Sequence, residues 1–270
     1  MGDKFGNILL VSDIDGTLVD GTFTISEKNK SAVAYFLENG GKMVLATGRS
    51  KINARKFYNG LSLTMPCVLL NGAAVYDFER EEYLWRCMID VPDAIPLLKT
   101  ILESHPDVGI EVWGDGEVFQ LNPEYQDPMR EYLEEMQFKG ASLDMLPKKC
   151  FKILVSGAAD TIAKVWKLCR ESAPRSIHSV CSSENYCEMI SADANKFSAL
   201  LALTELTGTQ SRRTAAIGDY YNDIEMVKGA DIGAAPSNAV EEVQAAADVH
   251  FCNCSDGAVA EFIDYLEKNT

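Results

Sequence analysis

Apolar residues are arranged differently at the ends of this chain and in its middle. Near both ends they form short continuous runs, at residues 8–11, 43–46, 67–70 and 214–217, separated by stretches of helical period, and a further strand is predicted at 231–234. Runs of that kind read as strands buried on both faces of a parallel sheet. The intervening helices are predicted from Ser26 to the Gly40-Gly41 pair, then over 51–59, 196–207, 222–227, 238–246 and 257–268, with a short strand at 249–251. A serine before the first turn and glycine after the last are the expected end signals. Asn71-Gly72, followed by residues 74–78 and 83–86, predicts a hairpin leading out of the sheet.

The middle reads as alternation and turns. Strands are predicted at 109–113 and 117–121 around Gly114-Asp115-Gly116, then at 151–156, 177–182 and 186–191, with helices at 92–104 and 159–172. The charge-rich stretch 122–149 carries one further helical pattern near 129–137. Hairpin-linked strands backed by two long helices predict an antiparallel α+β layer. The fold class is therefore α/β: a doubly wound parallel-sheet core formed by 1–81 and 191–270, interrupted by an inserted α+β domain at 82–190.

Four motifs concentrate the candidate chemistry. Ser12-Asp13-Ile14-Asp15-Gly16-Thr17-Leu18, Thr47-Gly48-Arg49 and Gly218-Asp219-Tyr220-Tyr221-Asn222-Asp223 each follow an apolar run, and Asn195-Lys196 opens a predicted helix. In an open parallel sheet, ligand sites form beyond the carboxyl ends of the strands, so distant motifs can converge. Asp13, Asp15, Asp219 and Asp223 would then crowd together. At about 4 Å and an effective dielectric of about 20, each like-charged pair costs on the order of 4 kcal/mol. A cation must offset this, and hard oxygen donors favour Mg²⁺. Lys196 and the hydroxyl of Thr47, with Gly48 beside it, are candidate phosphate binders. Arg49, Asn71 and Asn222 are candidate substrate contacts, Arg49 being equally suited to a structural ion pair. Gly16 permits the turn that aims Asp13 and Asp15 inward.

Other readings of these residues fail on spacing. A calcium loop needs glycine at its sixth position and glutamate at its twelfth. Counted from Asp13, glycine falls at the fourth and Thr24 at the twelfth. No GxxxxGK[ST] loop is present, which disfavours a P-loop kinase or ATPase. The 8 cysteines lack a CxxC pair and only 3 histidines occur, all isolated, which argues against zinc. The net charge of −15 would repel nucleic-acid backbones and anionic membrane surfaces, so neither is an expected partner. An anionic substrate must then be drawn in by local cations. The polar opening and the absence of a membrane-length apolar stretch make the cytoplasm the expected location. Asn253-Cys254-Ser255 fits a glycosylation sequon and is read as accidental. Oligomeric state is not legible.

In order, spacing and strand context, the four motifs resemble those of haloacid dehalogenase superfamily hydrolases, of the Cof-like sugar-phosphatase branch, over nearly the whole chain. The resemblance implies a Rossmann-like core in which Asp13 attacks phosphorus to form an aspartyl-phosphate. Asp15 would protonate the leaving alkoxide, later activate water, and lend its backbone carbonyl to Mg²⁺. It further implies that Thr47 and Lys196 bind phosphate, that Asp219 is a metal ligand, and that Asn222 and Asp223 support the metal shell. Phe197, Tyr220 and Tyr221 depart from residues more usual in the family and are expected to affect the pocket. The insertion corresponds to the family's cap, which reads the leaving group; Glu111, Trp113, Tyr125, Glu184, Asn185 and Tyr186 are candidate readers. The implied function is Mg²⁺-dependent hydrolysis of a small phosphorylated metabolite, a sugar phosphate above all. A phosphomutase of the same superfamily and a non-catalytic metabolite-binding regulator are the alternatives.

Overall fold

The computed structural model describes residues 3–125 and 138–269, so the helical pattern near 129–137 lies outside the described residues. The chain divides into two compact units, Met1–Trp85 with Asn195–Thr270, and Arg86–Ala194.

The first part of the chain builds β1 (Ile8–Ser12), α1 (Glu27–Glu38), β2 (Lys42–Leu45), α2 (Lys51–Gly60), β3 (Cys67–Leu69), β4 (Ala74–Asp77) and β5 (Glu82–Arg86). The inserted unit contributes β6 (Ile89–Asp90), α3 (Val91–Ser104), β7 (Gly109–Trp113), β8 (Val118–Leu121), β9 (Phe138–Gly140), β10 (Lys149–Cys150), β11 (Lys152–Ser156), α4 (Ala159–Ser172), β12 (Ile177–Ser183) and β13 (Tyr186–Ser191). The chain then returns through α5 (Lys196–Thr207), β14 (Arg213–Ile217), α6 (Ile224–Gly229), β15 (Ile232–Pro236), α7 (Glu241–Ala246), β16 (Val249–Phe251) and α8 (Ala258–Asn269).

In the first unit, five strands run in the order β16-β15-β14-β1-β2, all paired in parallel. A parallel bridge between Ala46 and Val68 carries the pattern on to β3, which forms an antiparallel sheet with β4 and β5. Every residue of β1 is buried, as its continuous apolar run requires. Leu9, Val11, Val44, Ala46, Val68 and Ala216 form one apolar cluster with Ala199, Leu200 and Leu203 of α5. Ser26 caps α1 by accepting from the Asn29 amide, while the buried Asn29 side chain donates to the Leu18 carbonyl and accepts from the Ala260 amide.

The second unit is built on a six-stranded sheet of order β12-β13-β11-β7-β8-β9, antiparallel except for the β8–β9 pair. Alternate residues, among them Ile110, Val112, Ile153, Val155, Cys187 and Met189, join one apolar core with Leu97, Leu98 and Ile101 of α3 and Ile162, Val165 and Cys169 of α4. Strands β6 and β10 pair apart from this sheet. They and β9 were not anticipated, because two or three residues carry too little periodicity to stand out from a loop.

Elsewhere, sequence and structure differ in detail. The segment expected to be helical at 222–227 begins as a 3-10 turn at Tyr221–Asp223, with α6 starting at Ile224. Residues 238–240, expected to open a helix, form a turn before α7. No helix among the described residues is long and apolar enough to cross a membrane.

Candidate active site

Asp13 follows the last residue of β1, and its amide donates to the Ile217 carbonyl at 3.0 Å, so the β1–β14 ladder continues through it. Its neighbour loop is a compact turn: the amides of Leu18 and Val19 both donate to the Ile14 carbonyl, and Gly16 donates to Val19. Gly16 has a φ of 78°, and a Cβ there would collide with the Asp219 carboxylate. Glycine thus serves two purposes at this position, turning the chain and admitting a second acidic group.

Lys196 enters from the first turn of α5. Asn195 caps that helix reciprocally with Ser198: the Ser198 amide donates to Asn195 Oδ1 at 2.7 Å, and the Asn195 amide donates to Ser198 Oγ at 3.0 Å. An ammonium at a helix N-terminus opposes the helix dipole and needs compensation. Two carboxylates supply it. Lys196 Nζ is 2.6 Å from Asp13 Oδ1 and 2.6 Å from Asp223 Oδ1, with the lysine fully buried. Asp223 Oδ2 accepts from the amides of Asp219 and Tyr220, both at 3.1 Å, and so folds the loop after β14 over its own end. Asp219 is held in turn by Thr17 Oγ1 at 2.8 Å.

The electrostatics follow from this crowding. Burial, and then the charges of Asp223, Asp219 and Asp15, hold the Asp13 carboxyl well above its usual range despite the opposing pull of Lys196. Burial followed by Asp223 pushes Asp219 up to about 7. For Lys196 burial acts to lower the pKa, but Asp13 and Asp223 outweigh it and the net shift is upward. One oxygen each from Asp13, Asp219 and Asp223 lies within 4.8 Å of the others. Three hard anionic donors facing one ammonium leave uncompensated negative charge, which is the donor set that fits a divalent cation of the Mg²⁺ type.

Asp15 is placed otherwise than the crowding argument anticipates. Its carboxylate is tied to Arg49 through Nε at 2.7 Å and Nη2 at 2.6 Å, outside the group formed by the other three. Arg49 also lies over the rings of Phe57 and Phe23, at 5.0 and 5.4 Å from their centroids. Of its two readings, the ion pair is the one present. Thr47 is buried at the end of β2, its amide donating to Val68 and its Oγ1 accepting from the Arg49 amide at 3.1 Å. Gly48 lies against the Asn71 side chain, and Asn71 Oδ1 accepts from Asn222 Nδ2 at 2.9 Å. Asn71 is left-handed, with φ 57°, as is Gly72, where a Cβ would strike the Asn195 backbone. That close approach brings the Asn71 turn against the start of α5.

Thr17 and Asn195, which lie within the four motifs but were given no role there, join the site, as does Asn238, which the sequence reading does not single out. Asn238 Nδ2 donates to the Gly16 carbonyl at 2.8 Å, while its Oδ1 accepts from Cys254. The N-cap pattern before α5 was a signal that could have flagged Asn195; nothing in its sequence neighbourhood flags Asn238. Phe197 packs on Gly229 and the apolar cluster of the core, and Tyr221 is exposed with its hydroxyl 3.4 Å from Glu242. Among the candidate leaving-group readers, Glu111 and Trp113 are buried, Tyr186 is half-buried, and Tyr125, Glu184 and Asn185 are exposed.

The chain matches the family model for haloacid dehalogenase-like hydrolases over residues 10–263. It is 26% identical over 271 residues to the pyridoxal phosphate phosphatase YbhA of Escherichia coli, covering 94% of this chain and 97% of that protein. It is 25% identical over 286 residues to the phosphatase YwpJ of Bacillus subtilis, covering 96% and 99%. A solved haloacid dehalogenase-like hydrolase from Bacteroides thetaiotaomicron superposes with a TM-score of 0.79 at 27% identity, covering 96% of this chain and 98% of that one. With the motifs at the strand ends and a match spanning the catalytic core and the insertion alike, the chain belongs to the haloacid dehalogenase-like hydrolase family, in its Cof-like branch, and is a phosphatase.

Proposed function

We propose that the protein hydrolyses the monophosphate ester of a small metabolite, a sugar phosphate first among them, through an aspartyl-phosphate on Asp13. The observation that carries this reading is the buried contact of Asp13 with Lys196, residues 183 apart in sequence, beside Asp219 and Asp223. A carboxylate nucleophile divides one difficult displacement into two easier ones.

In the first displacement an oxygen of Asp13 bonds to phosphorus as the bond to the leaving alkoxide breaks, and Asp15 gives that alkoxide its proton. In the second, Asp15 takes a proton from water as the water oxygen bonds to phosphorus and Asp13 is released. Each oxygen of Asp15 accepts one hydrogen bond from Arg49, which orients the carboxyl group and leaves a further lone pair on each oxygen to carry the proton. Lys196 and the Thr47 hydroxyl offer donors to the phosphoryl oxygens, where charge accumulates in the transition state. Mg²⁺ would be held by Asp13, Asp219 and the Asp15 backbone carbonyl, with Asp223 steadying the Asp219 loop, and would neutralise charge on the phosphoryl group. The inserted unit, 82–190 on the sequence reading, acts as the cap that selects the leaving group.

The test is release of inorganic phosphate from a panel of phosphate esters with Mg²⁺ present. Asp13→Asn is expected to lower kcat on the order of 10⁴-fold or more and to abolish the phosphorylated protein seen by mass spectrometry after acid quench. Phosphate release from no member of the panel would refute the proposal. Isomerised ester without free phosphate would favour the mutase reading instead.

A further inference from the structure

Two cysteines of the core unit have no part in the chemistry above. Of the 8 in the chain, Cys252 and Cys254 are the closest pair in sequence, with Asn253 between them. They lie in the segment leading from β16 to α8, Cys252 half-buried and Cys254 8% exposed. The Cys252 amide donates to Glu261 Oε2 of α8 at 2.7 Å, and the Cys252 thiol donates to the same side chain. The Cys254 thiol donates to Asn253 Oδ1 at 3.4 Å. That oxygen also accepts from the Ser255 amide and hydroxyl, and so caps the short 3-10 turn at Cys254–Asp256.

The backbone of this segment is tied to the loop that carries the nucleophile. The Cys254 amide donates to Asn238 Oδ1 at 2.9 Å, and Asn238 Nδ2 donates to the Gly16 carbonyl at 2.8 Å. The Cys252 carbonyl accepts from the Ser237 amide at 3.2 Å, so residues 237 and 238 are gripped from both sides of Asn253. An asparagine side chain bridges two backbone groups through its oxygen and its nitrogen, and does so only while both groups hold their places. Gly16 stands between Asp15 and Thr17, and Thr17 in turn holds Asp219. Asn238 thus links the cysteine pair to the turn that presents Asp13 and Asp15.

We infer that Cys252 and Cys254 form a reversible disulfide that lowers phosphatase activity by withdrawing the positioning residue Asn238 from the Gly16 turn. The oxidant is a low-molecular-weight disulfide. Cys252, the more exposed of the two, attacks it as the thiolate, giving a mixed disulfide and releasing one small thiol. Cys254 then attacks the Cys252 sulfur, which closes the internal bond and releases the second. The two cysteines give up two electrons, and their two protons end on the two released thiols. Asn253 has φ −61° and ψ 149°, an extended conformation whose rise of about 3.1 Å per residue sets the flanking Cα atoms about 6 Å apart. That spacing is within the span of a disulfide, but the three-residue period of the conformation points the two side chains in different directions. Closure therefore turns Asn253, and with it the Cys254 amide and the cap on the 3-10 turn. A disulfide strained in this way is the labile, regulatory kind. Burial and then Glu261 raise the Cys252 pKa, while burial and then Asp219 raise that of Cys254, so exchange is slow at neutral pH and quickens as pH rises. Formation of the bond does not depend on the phosphatase reading above; its effect on activity does.

The test incubates reduced protein with oxidised glutathione at pH 8, maps the bonds formed by peptide mass spectrometry, and measures phosphate release from an ester the reduced protein hydrolyses, before and after dithiothreitol. The expected result is a Cys252–Cys254 bond, a kcat lower by about tenfold or more, a KM changed less than about threefold, and recovery on reduction. Cys252→Ser is expected to match the reduced wild type and to lose nothing on oxidation. Asn238→Ala is expected to have a low kcat when reduced and to fall no further on oxidation. Absence of the mapped bond, a bond that leaves kcat unchanged, a loss carried by KM alone, or an equal loss in Cys252→Ser overturns the proposal. So does an Asn238→Ala variant with wild-type kcat, or one that oxidation still inhibits. Should the reduced wild type turn over no ester, the phosphatase reading fails, and the disulfide is judged by amide hydrogen exchange at residues 14–19. Faster exchange in the oxidised wild type, and not in Cys252→Ser treated alike, supports it; unchanged exchange, or the same change in both, overturns it.

Discussion

Each compact unit buries a lysine against carboxylate, and the two lysines are compensated differently. In the core unit Lys196 faces three aspartates gathered at strand ends, where no ladder partner separates their charges. In the inserted unit Lys152 and Glu188 form a close pair on adjoining strands, with Glu111 hydrogen-bonded to an indole rather than left to repel its neighbours. The first arrangement holds an excess of negative charge that raises the pKa values of its own acids, the mark of a site built to receive something positive. The second is closer to balance. Parallel topology favours the former, because it brings several loops to one edge of the sheet. An antiparallel sheet favours the latter, because side chains from neighbouring strands form a continuous face.

The largest expected effect comes from removing the ammonium at the core. Lys196→Met leaves Asp13 and Asp223 buried side by side, and the unfolding free energy in metal-free buffer is expected to fall by about 3–5 kcal/mol, measured by urea titration at neutral pH. A loss much below this would mean that the carboxylates simply take up protons. A smaller effect of opposite sign is expected from Asp219→Asn. Asp219 has its pKa raised from 3.8 to about 7, so the fold binds its proton more tightly than the unfolded chain does. That contribution is present at low pH and is lost as pH climbs through about 7. The metal-free variant should therefore melt on the order of 5 °C higher than wild type at pH 8, with the difference vanishing near pH 4, while its response to added Mg²⁺ is lost. The smallest effect belongs to the inserted unit. Replacing Lys152 and Glu188 together by methionine is expected to leave stability within about 1 kcal/mol of wild type or to increase it. A double variant that unfolds would erase the contrast between the two groups.

Legibility in the sequence tracked how many residues share a signal. The strands at 8–11 and 214–217 and the helices from Ser26 and Lys196 were readable because several residues repeat one period and their ends carry capping residues. The motif aspartates were readable because each follows such a run. The Asp15–Arg49 pair was not, since a flexible arginine next to a phosphate-site candidate has equal claim to substrate and to a neighbouring acid. Asn238 was missed because a single polar residue that holds a loop leaves no pattern, and Thr17, though inside a motif, was given no role because nothing in the sequence shows its hydroxyl reaching Asp219. Lys152 and Glu188 were missed for a related reason: a charged residue in a strand ordinarily marks the wet face, and only burial reveals that this face is enclosed. The α6 boundary slipped because Asp223 turns its side chain back onto the Asp219 and Tyr220 amides of the loop after β14, and the chain passes through a 3-10 turn before the helix starts at Ile224.

The position of the insertion also constrains how the chain acquires its shape. Strand β1 pairs with β14, Ile8 alongside Arg213, and the whole second unit is synthesised between them. While the ribosome is still reading codons near position 190, β1 has only β2 beside it and an edge awaiting its partner. The inserted unit, continuous in sequence, has every strand it needs by then and is free to fold first. Asp13 therefore gains Lys196 only after the inserted unit has been made, and a chain truncated before β14 displays a hydrophobic strand edge without its parallel partner.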